Sequence, residues 1–153
     1  AAYIPDAYID DVNQRLTWYK RLAALKRAED KVLIAEEMSD RYGPPPEIVE
    51  TLIEVMDVRR RLATLAISEA KVRGGRLSLR VHASSPLAGE ALVGLVQTPG
   101  RRWSLSPDGT LGVSLGPDPA RVLVEVRDVV TTLEEIASRV RSAAETRAAG
   151  DAS

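Results

Sequence analysis

An α+β fold is predicted for this chain, three helices followed by a ββαββα unit whose small, mainly antiparallel sheet packs against helices. Three observations predict it. Apolar residues recur at helical spacing through the first half, and the period drops from 3.6 to 2 near residue 69. Two strand-like pairs then flank turn dipeptides, Gly74-Gly75 and Asp108-Gly109. Finally, Asp118-Pro119 opens a long amphipathic stretch. The reading is a single domain over 1–146, with a helical part at 10–66, a sheet-and-helix part at 69–146 and a frayed polar tail at 147–153.

Asp10 or Asp11 can cap the first helix, a short carboxylate accepting from free amides of the first turn. Val12, Leu16, Tyr19, Leu22 and Ala23 share one face, widened by Trp18 and Leu25, and that stripe is expected to point inward. Arg27-Ala28-Glu29-Asp30 reads as a turn and restart. The second helix runs to about Tyr42. There Gly43 supplies a left-handed residue, and Pro44-Pro45-Pro46 forbids continuation. A third helix extends to about Leu65. Ile48, Leu52, Val55, Met56, Arg59 and Leu62 line one side of it, and Val49 and Ile53 extend the arc.

Residues 70–73 and 76–82 alternate about Gly74-Gly75, a two-residue hairpin turn. Ser85-Pro86 opens a short helix through Ala91, Leu92, Leu95 and Val96, stopped by Pro99-Gly100. Trp103-Ser104-Leu105 and residues 111–115 form a second hairpin about Pro107-Asp108-Gly109. In the last segment Val122, Val126, Val129, Val130, Leu133, Ile136, Ala137 and Val140 keep helical spacing. Residues 122, 124 and 126 also alternate as a strand would; the length and the proline favour helix.

With 153 residues there is enough chain for a real core, built without Phe from Leu, Val, Ile, Ala, two Trp and four Tyr. The 21 Lys+Arg and 22 Asp+Glu nearly cancel, which disfavours a duplex-gripping domain, since phosphate neutralisation supplies most of such affinity. No cysteine is present, excluding disulfides and thiolate metal sites. No run of 18 apolar residues exists, so no membrane span is expected. The Ala1-Ala2 start reads as a cut end rather than a natural beginning. Neither a phosphate-binding loop nor a dinucleotide fingerprint occurs. The single histidine, His82, ends a strand and is assigned a structural or surface role.

The second helix carries a different signal. Ile34, Ala35, Met38 and Tyr42 form its core arc, whereas Leu33, Glu36, Glu37 and Asp40 fall on the opposite side. A solvated acidic face with an incidental leucine is the plain reading. An apolar anchor ringed by acids is also what a docking face for a basic partner requires, the anchor supplying burial and the acids supplying register.

Three segments carry a family resemblance: Ile4-Pro5-Asp6-Ala7-Tyr8-Ile9-Asp10-Asp11, Arg15-Leu16-Thr17-Trp18-Tyr19-Lys20-Arg21-Leu22, and Asp40-Arg41-Tyr42-Gly43-Pro44-Pro45-Pro46. In that order they resemble the (L/I)PxxYIxD…RLxxYKRL…DRFGPxP pattern of the C-terminal domain of the bacterial transcription-repair coupling factor (TRCF) family. Asp10 stands where proline is common, Tyr42 replaces Phe, and Ala66 replaces a glycine often seen before the isoleucine. The resemblance implies a non-catalytic regulatory domain of a large bacterial, cytoplasmic, ATP-dependent DNA translocase of helicase superfamily 2. ATP and Mg would belong to the motor, outside this chain, with no cofactor here. It implies that the domain packs on a UvrB-like module of the same parent and masks its UvrA-binding surface. UvrA, RNA polymerase and DNA would be met through the parent. In the family that contact uses acids of the helix before DRFG, which match Glu37 and Asp40 on the face around Leu33.

Two alternatives have sequence features of their own. A small nucleic-acid-binding module would use Arg59-Arg60-Arg61 or Arg101-Arg102-Trp103. Acids near the first cluster make a solvated face the simpler reading, and Trp103 alternates with Leu105 as a core strand residue would. An enzyme using Glu134 and Glu135 is opposed by their adjacency, which points them about 100° apart on a helix.

Overall fold

The structure, a computed structural model, describes residues 2–151. The chain divides into two compact units between Arg60 and Arg61, inside the third helix and earlier than the change of period.

The first unit contains α1 (Val12–Ala23), α2 (Ala28–Tyr42) and most of α3 (Glu47–Thr64). Asp11, not Asp10, caps α1, its Oδ1 accepting from Asn13 N at 2.7 Å and Gln14 N at 3.1 Å. Asp30 closes the turn before α2 by accepting from Lys26 N at 3.1 Å and Arg27 N at 3.0 Å. These backbone donors hold its carboxyl below the usual aspartate range. Gly43 ends α2 with a φ of 84°, a conformation open to glycine.

The inward face of α1 departs from expectation. Val12 and Leu16 are exposed, at 56% and 52%, while Trp18 and Leu22 are buried. The buried arc is turned by roughly 100° from the Val12-Leu16-Tyr19 stripe. Trp18 decides this: it is the largest apolar surface on the helix, and it is 2% exposed among Ile34, Met38, Val49 and Leu52 of the same core. Arg21 lies over the indole, 4.4 Å from the ring centroid.

The motif residues before α1 fasten an extended segment to the helices. Ile4 and Ile9 are buried. The Ile4 amide donates to Tyr19 Oη at 2.7 Å, Arg15 Nη1 donates to Ile9 O at 2.7 Å, and Tyr8 Oη donates to Gly43 O at 2.8 Å. Burial, reinforced by Tyr42, raises the Tyr8 hydroxyl above the ordinary tyrosine value. Trp18 Nε1 donates to Tyr42 Oη, which donates in turn to Gln14. Tyrosine in place of the family's Phe therefore adds a hydroxyl that the unit uses.

The second unit holds β1 (Ile67–Arg73), β2 (Arg76–Val81), α4 (Glu90–Val96), β3 (Trp103–Leu105), β4 (Thr110–Ser114) and α5 (Val122–Asp151). The strands form one antiparallel sheet in the order β1-β2-β4-β3. Gly74 and Gly75 have φ of 58° and 71°, the two positive values that a tight hairpin demands. Leu77, Leu79, Val81, Leu111 and Val113 are buried on one face, and α5 buries Val126, Val129, Val130, Leu133 and Ala137 as its spacing predicts.

Three boundaries differ from expectation. The helix expected from Ser85-Pro86 starts only at Glu90, preceded by Gly89 with a φ of 76°. Ser85 is instead a buried turn residue whose Oγ donates to Leu65 O at 2.6 Å and accepts from Leu87 N at 3.1 Å. Asp118 caps a 3-10 turn, Pro119–Arg121, and α5 begins at Val122, so the ambiguous valine run is helix. The predicted frayed tail is helical through Asp151, with Ala152 and Ser153 outside the described residues. Residues 141–149 are rich in Ala, Arg and Glu, whose helix propensity carries the helix past the end of its buried face.

Candidate docking face on the second helix

Helix α2 runs between Arg27 and Gly43, and its two faces are set by the turn spacing. Ile34 and Met38 are 4% and 0% exposed, whereas Leu33 is 58% exposed. Glu36 and Asp40 are exposed, and Glu37 is half-buried. Helical spacing brings Leu33, Glu37 and Asp40 to neighbouring positions, with Glu36 alongside.

Two features were not read from the sequence. Glu37 is paired with Arg21 of α1 at 2.6 Å, so part of the negative charge is already neutralised. That pairing spans two helices, and no local spacing announces it. Glu29 is exposed one turn before Leu33 and extends the acidic strip; the i, i+4 spacing could have found it. Val32, 52% exposed, adds apolar surface at the flank. Beside Leu33 lies a shallow depression of about 230 Å³ lined by Arg21, Ala24, Leu25, Asp30, Leu33 and Ile34. The arrangement offers an apolar knob, a small hollow and free carboxylates. It offers no nucleophile–base pair. Its chemistry is recognition.

The other sequence candidates are dispersed. Arg59 is exposed. Arg60 is paired with the buried Asp57 at 2.8 Å, and Arg61 with Glu134 at 2.5 Å. The cluster is thus committed largely to internal ion pairs instead of standing as a solvated face. Arg101 binds Glu125 and Ser114 O, each at 3.2 Å. Glu125 also accepts from Gly116 N, which together with Arg101 holds its carboxyl below the usual glutamate range. Trp103 is half-buried opposite Val113 on the inner face of the sheet, while Arg102 is exposed. Glu134 is occupied by Arg61, and Glu135 is exposed. His82 is exposed, with Nδ1 engaged by Ser84 in a turn.

The family model described as TRCF domain matches residues 1–92. The chain belongs to the TRCF domain family. The transcription-repair-coupling factor of Myxococcus xanthus is 34% identical to it over 107 residues, 70% of this chain and 9% of the relative. That of Bacillus subtilis is 34% identical over 110 residues, 71% and 9%. The Escherichia coli protein is 36% identical over 74 residues, 47% and 6%. This TRCF chain therefore spans less than a tenth of the length of those curated relatives. A crystal structure of the C-terminal domain of transcription-repair coupling factor superposes with a TM-score of 0.74 over 90% of this chain and 89% of that one. Its identity is 18%, so the likeness shows the α+β fold. The family match ends within α4, consistent with a sheet half whose sequence diverges.

Proposed function

We propose that this TRCF domain is a non-catalytic, autoinhibitory cover within a bacterial, cytoplasmic, ATP-driven DNA translocase of transcription-coupled repair. Its α2 face docks on the UvrB-like module of the same parent and masks the surface that UvrA binds. The observation that carries the reading is the exposure of Leu33 beside the exposed carboxylates of Glu36 and Asp40, opposite a helix face that buries Ile34 and Met38. A basic partner surface with an apolar socket would bury the leucine and pair the acids. ATP, Mg and duplex DNA are handled by the motor portion of the parent; this chain supplies the cover.

Charge reversal in the full-length parent tests the reading. Glu37 is a poor choice by itself, because reversing it also sets two cations together at Arg21. Glu36→Arg with Asp40→Arg avoids that pair. The double variant is expected to keep the circular dichroism of the wild type and to raise UvrA retention in a pull-down by ten-fold or more, about 1.4 kcal/mol of lost masking. Unchanged UvrA retention with intact folding rules the face out.

A further inference from the structure

The outer face of the sheet carries a cation array. Strand alternation places Lys71 and Arg73 of β1, Arg76 and Arg80 of β2, and Ser104 of β3 on the side opposite Leu77, Leu79, Leu111 and Val113. All four cations are exposed. Arg73 and Arg76 stand directly opposite each other in the register, an arrangement that destabilises a strand pair when both charges have one sign. Neither has an ion-pair partner among the described residues. Lys71 and Arg80 meet Glu69 and Asp108 only at 4.0 and 3.9 Å, in exposed positions. Arg102, exposed and hydrogen-bonded through its amide to Ser114, extends the array at the next register position.

Arg76 is also held in a particular pose. Its guanidinium donates to Ser104 Oγ across the intervening strand and lies over Gly112. A Cβ at Gly112 would meet Arg76 Nη2 at 2.6 Å and Nε at 2.9 Å. Glycine therefore leaves the space that lets a planar cation lie against the sheet. The centre of the face is otherwise small and polar, with Ser78 and Ser104 as neighbours of Gly112. No large apolar side chain lies there to anchor a protein partner.

We infer that this face binds single-stranded nucleic acid through its phosphodiester backbone. Lys71, Arg73, Arg76 and Arg80 contact phosphates, and the Arg76 guanidinium forms a plane on which a base stacks. Arg76 and Arg80 are four residues apart on one strand, about 13 Å, a span that a flexible single strand can follow. A rigid duplex touches such a face along a line. Glu69, opposite Arg80 in the register, is the one acid on these strands that shares the face, so the array keeps a net positive charge that the near-zero total of the chain conceals.

Fluorescence anisotropy of the 153-residue chain with a labelled oligothymidylate of about 16 nucleotides tests this. Four phosphate contacts predict a slope near −2.8 in log affinity against log salt, about a fifty-fold loss between 50 and 200 mM. Arg73→Gln with Arg76→Gln should weaken binding at least ten-fold and flatten the slope by about 1.4. Arg59→Gln, an exposed cation on α3, should change neither. Gly112→Ala should weaken binding with all four cations present, a result that net charge alone would not give. Thermal unfolding of each variant establishes that the fold is kept. Absent binding at 50 mM salt, equal losses in Arg59→Gln, or a matched duplex bound more tightly than the single strand would each overturn the inference; the first would leave an acidic protein surface as the partner of this face.

Discussion

Ala66 shows how a single family departure acquires a physical meaning. It is the one described non-glycine residue with positive φ, 55°, and it stands where the family often has glycine. A left-handed conformation places Cβ against the following carbonyl, at a cost of about 1–2 kcal/mol. The position tolerates it because both sides are tied: Ala66 N donates to Ala63 O at 3.0 Å, and Ala66 O accepts from His82 N at 2.9 Å. Ala66→Gly removes the steric cost and adds some backbone entropy to the unfolded chain, so a net gain of about 0.5–1 kcal/mol is expected. Urea unfolding at constant m-value measures it. A loss of stability would mean that Cβ packing outweighs the strain.

Helix faces are set by the largest buried side chain, and α1 makes the point quantitatively. Trp18→Ala is expected to cost about 3–5 kcal/mol, because it empties the centre of the three-helix core. Leu16→Gln should stay within about 0.5 kcal/mol, since its side chain is already in water. Thermal denaturation followed at 222 nm separates the two; comparable losses would mean that the expected stripe, not the observed one, faces inward. Much of the architecture was legible for the same kind of reason. Helix ends marked by Asp11 and Gly43, and hairpins marked by Gly74-Gly75 and Asp108-Gly109, are local signals and fall where they were read, while Asp118 caps a 3-10 turn that leads into α5. What eluded the sequence depends on contacts distant along the chain. The rotation of α1 follows from where the indole fits. The delayed start of α4 follows from Ser85 bonding Leu65, and the Arg21–Glu37 pair joins two helices. The α2 face was legible in Leu33, Glu36 and Asp40 because helical period alone assigns them to one side; the basic sheet face needed the strand order that only the fold supplies.

Charge is segregated across the molecule. Residues 1–60 carry 9 basic and 12 acidic side chains, residues 61–153 carry 12 and 10, and the net value of −1 hides both. A cover that works by charge and one exposed leucine should be weak, and weakness is what a tethered switch needs. For the proposed cover, tethered to its target, an effective concentration of about 1 mM and an intrinsic Kd of about 10 μM would give roughly 100-fold masking, about 2.7 kcal/mol. The same arithmetic bounds the alternatives. A Kd near 1 nM would give about 8 kcal/mol of masking, more than remodelling of the motor could readily reverse; a Kd above 1 mM would leave the target mostly uncovered. Titration calorimetry of this chain into the separately expressed UvrB-like module should therefore return a Kd between about 1 and 100 μM. Affinity should fall as salt rises, since the pairs at the rim of such a contact are screened, and Asp40→Arg should weaken it by ten-fold or more. A salt-independent contact, or one indifferent to Asp40, would place the cover on another face of the domain and free the acidic strip of α2 from this role.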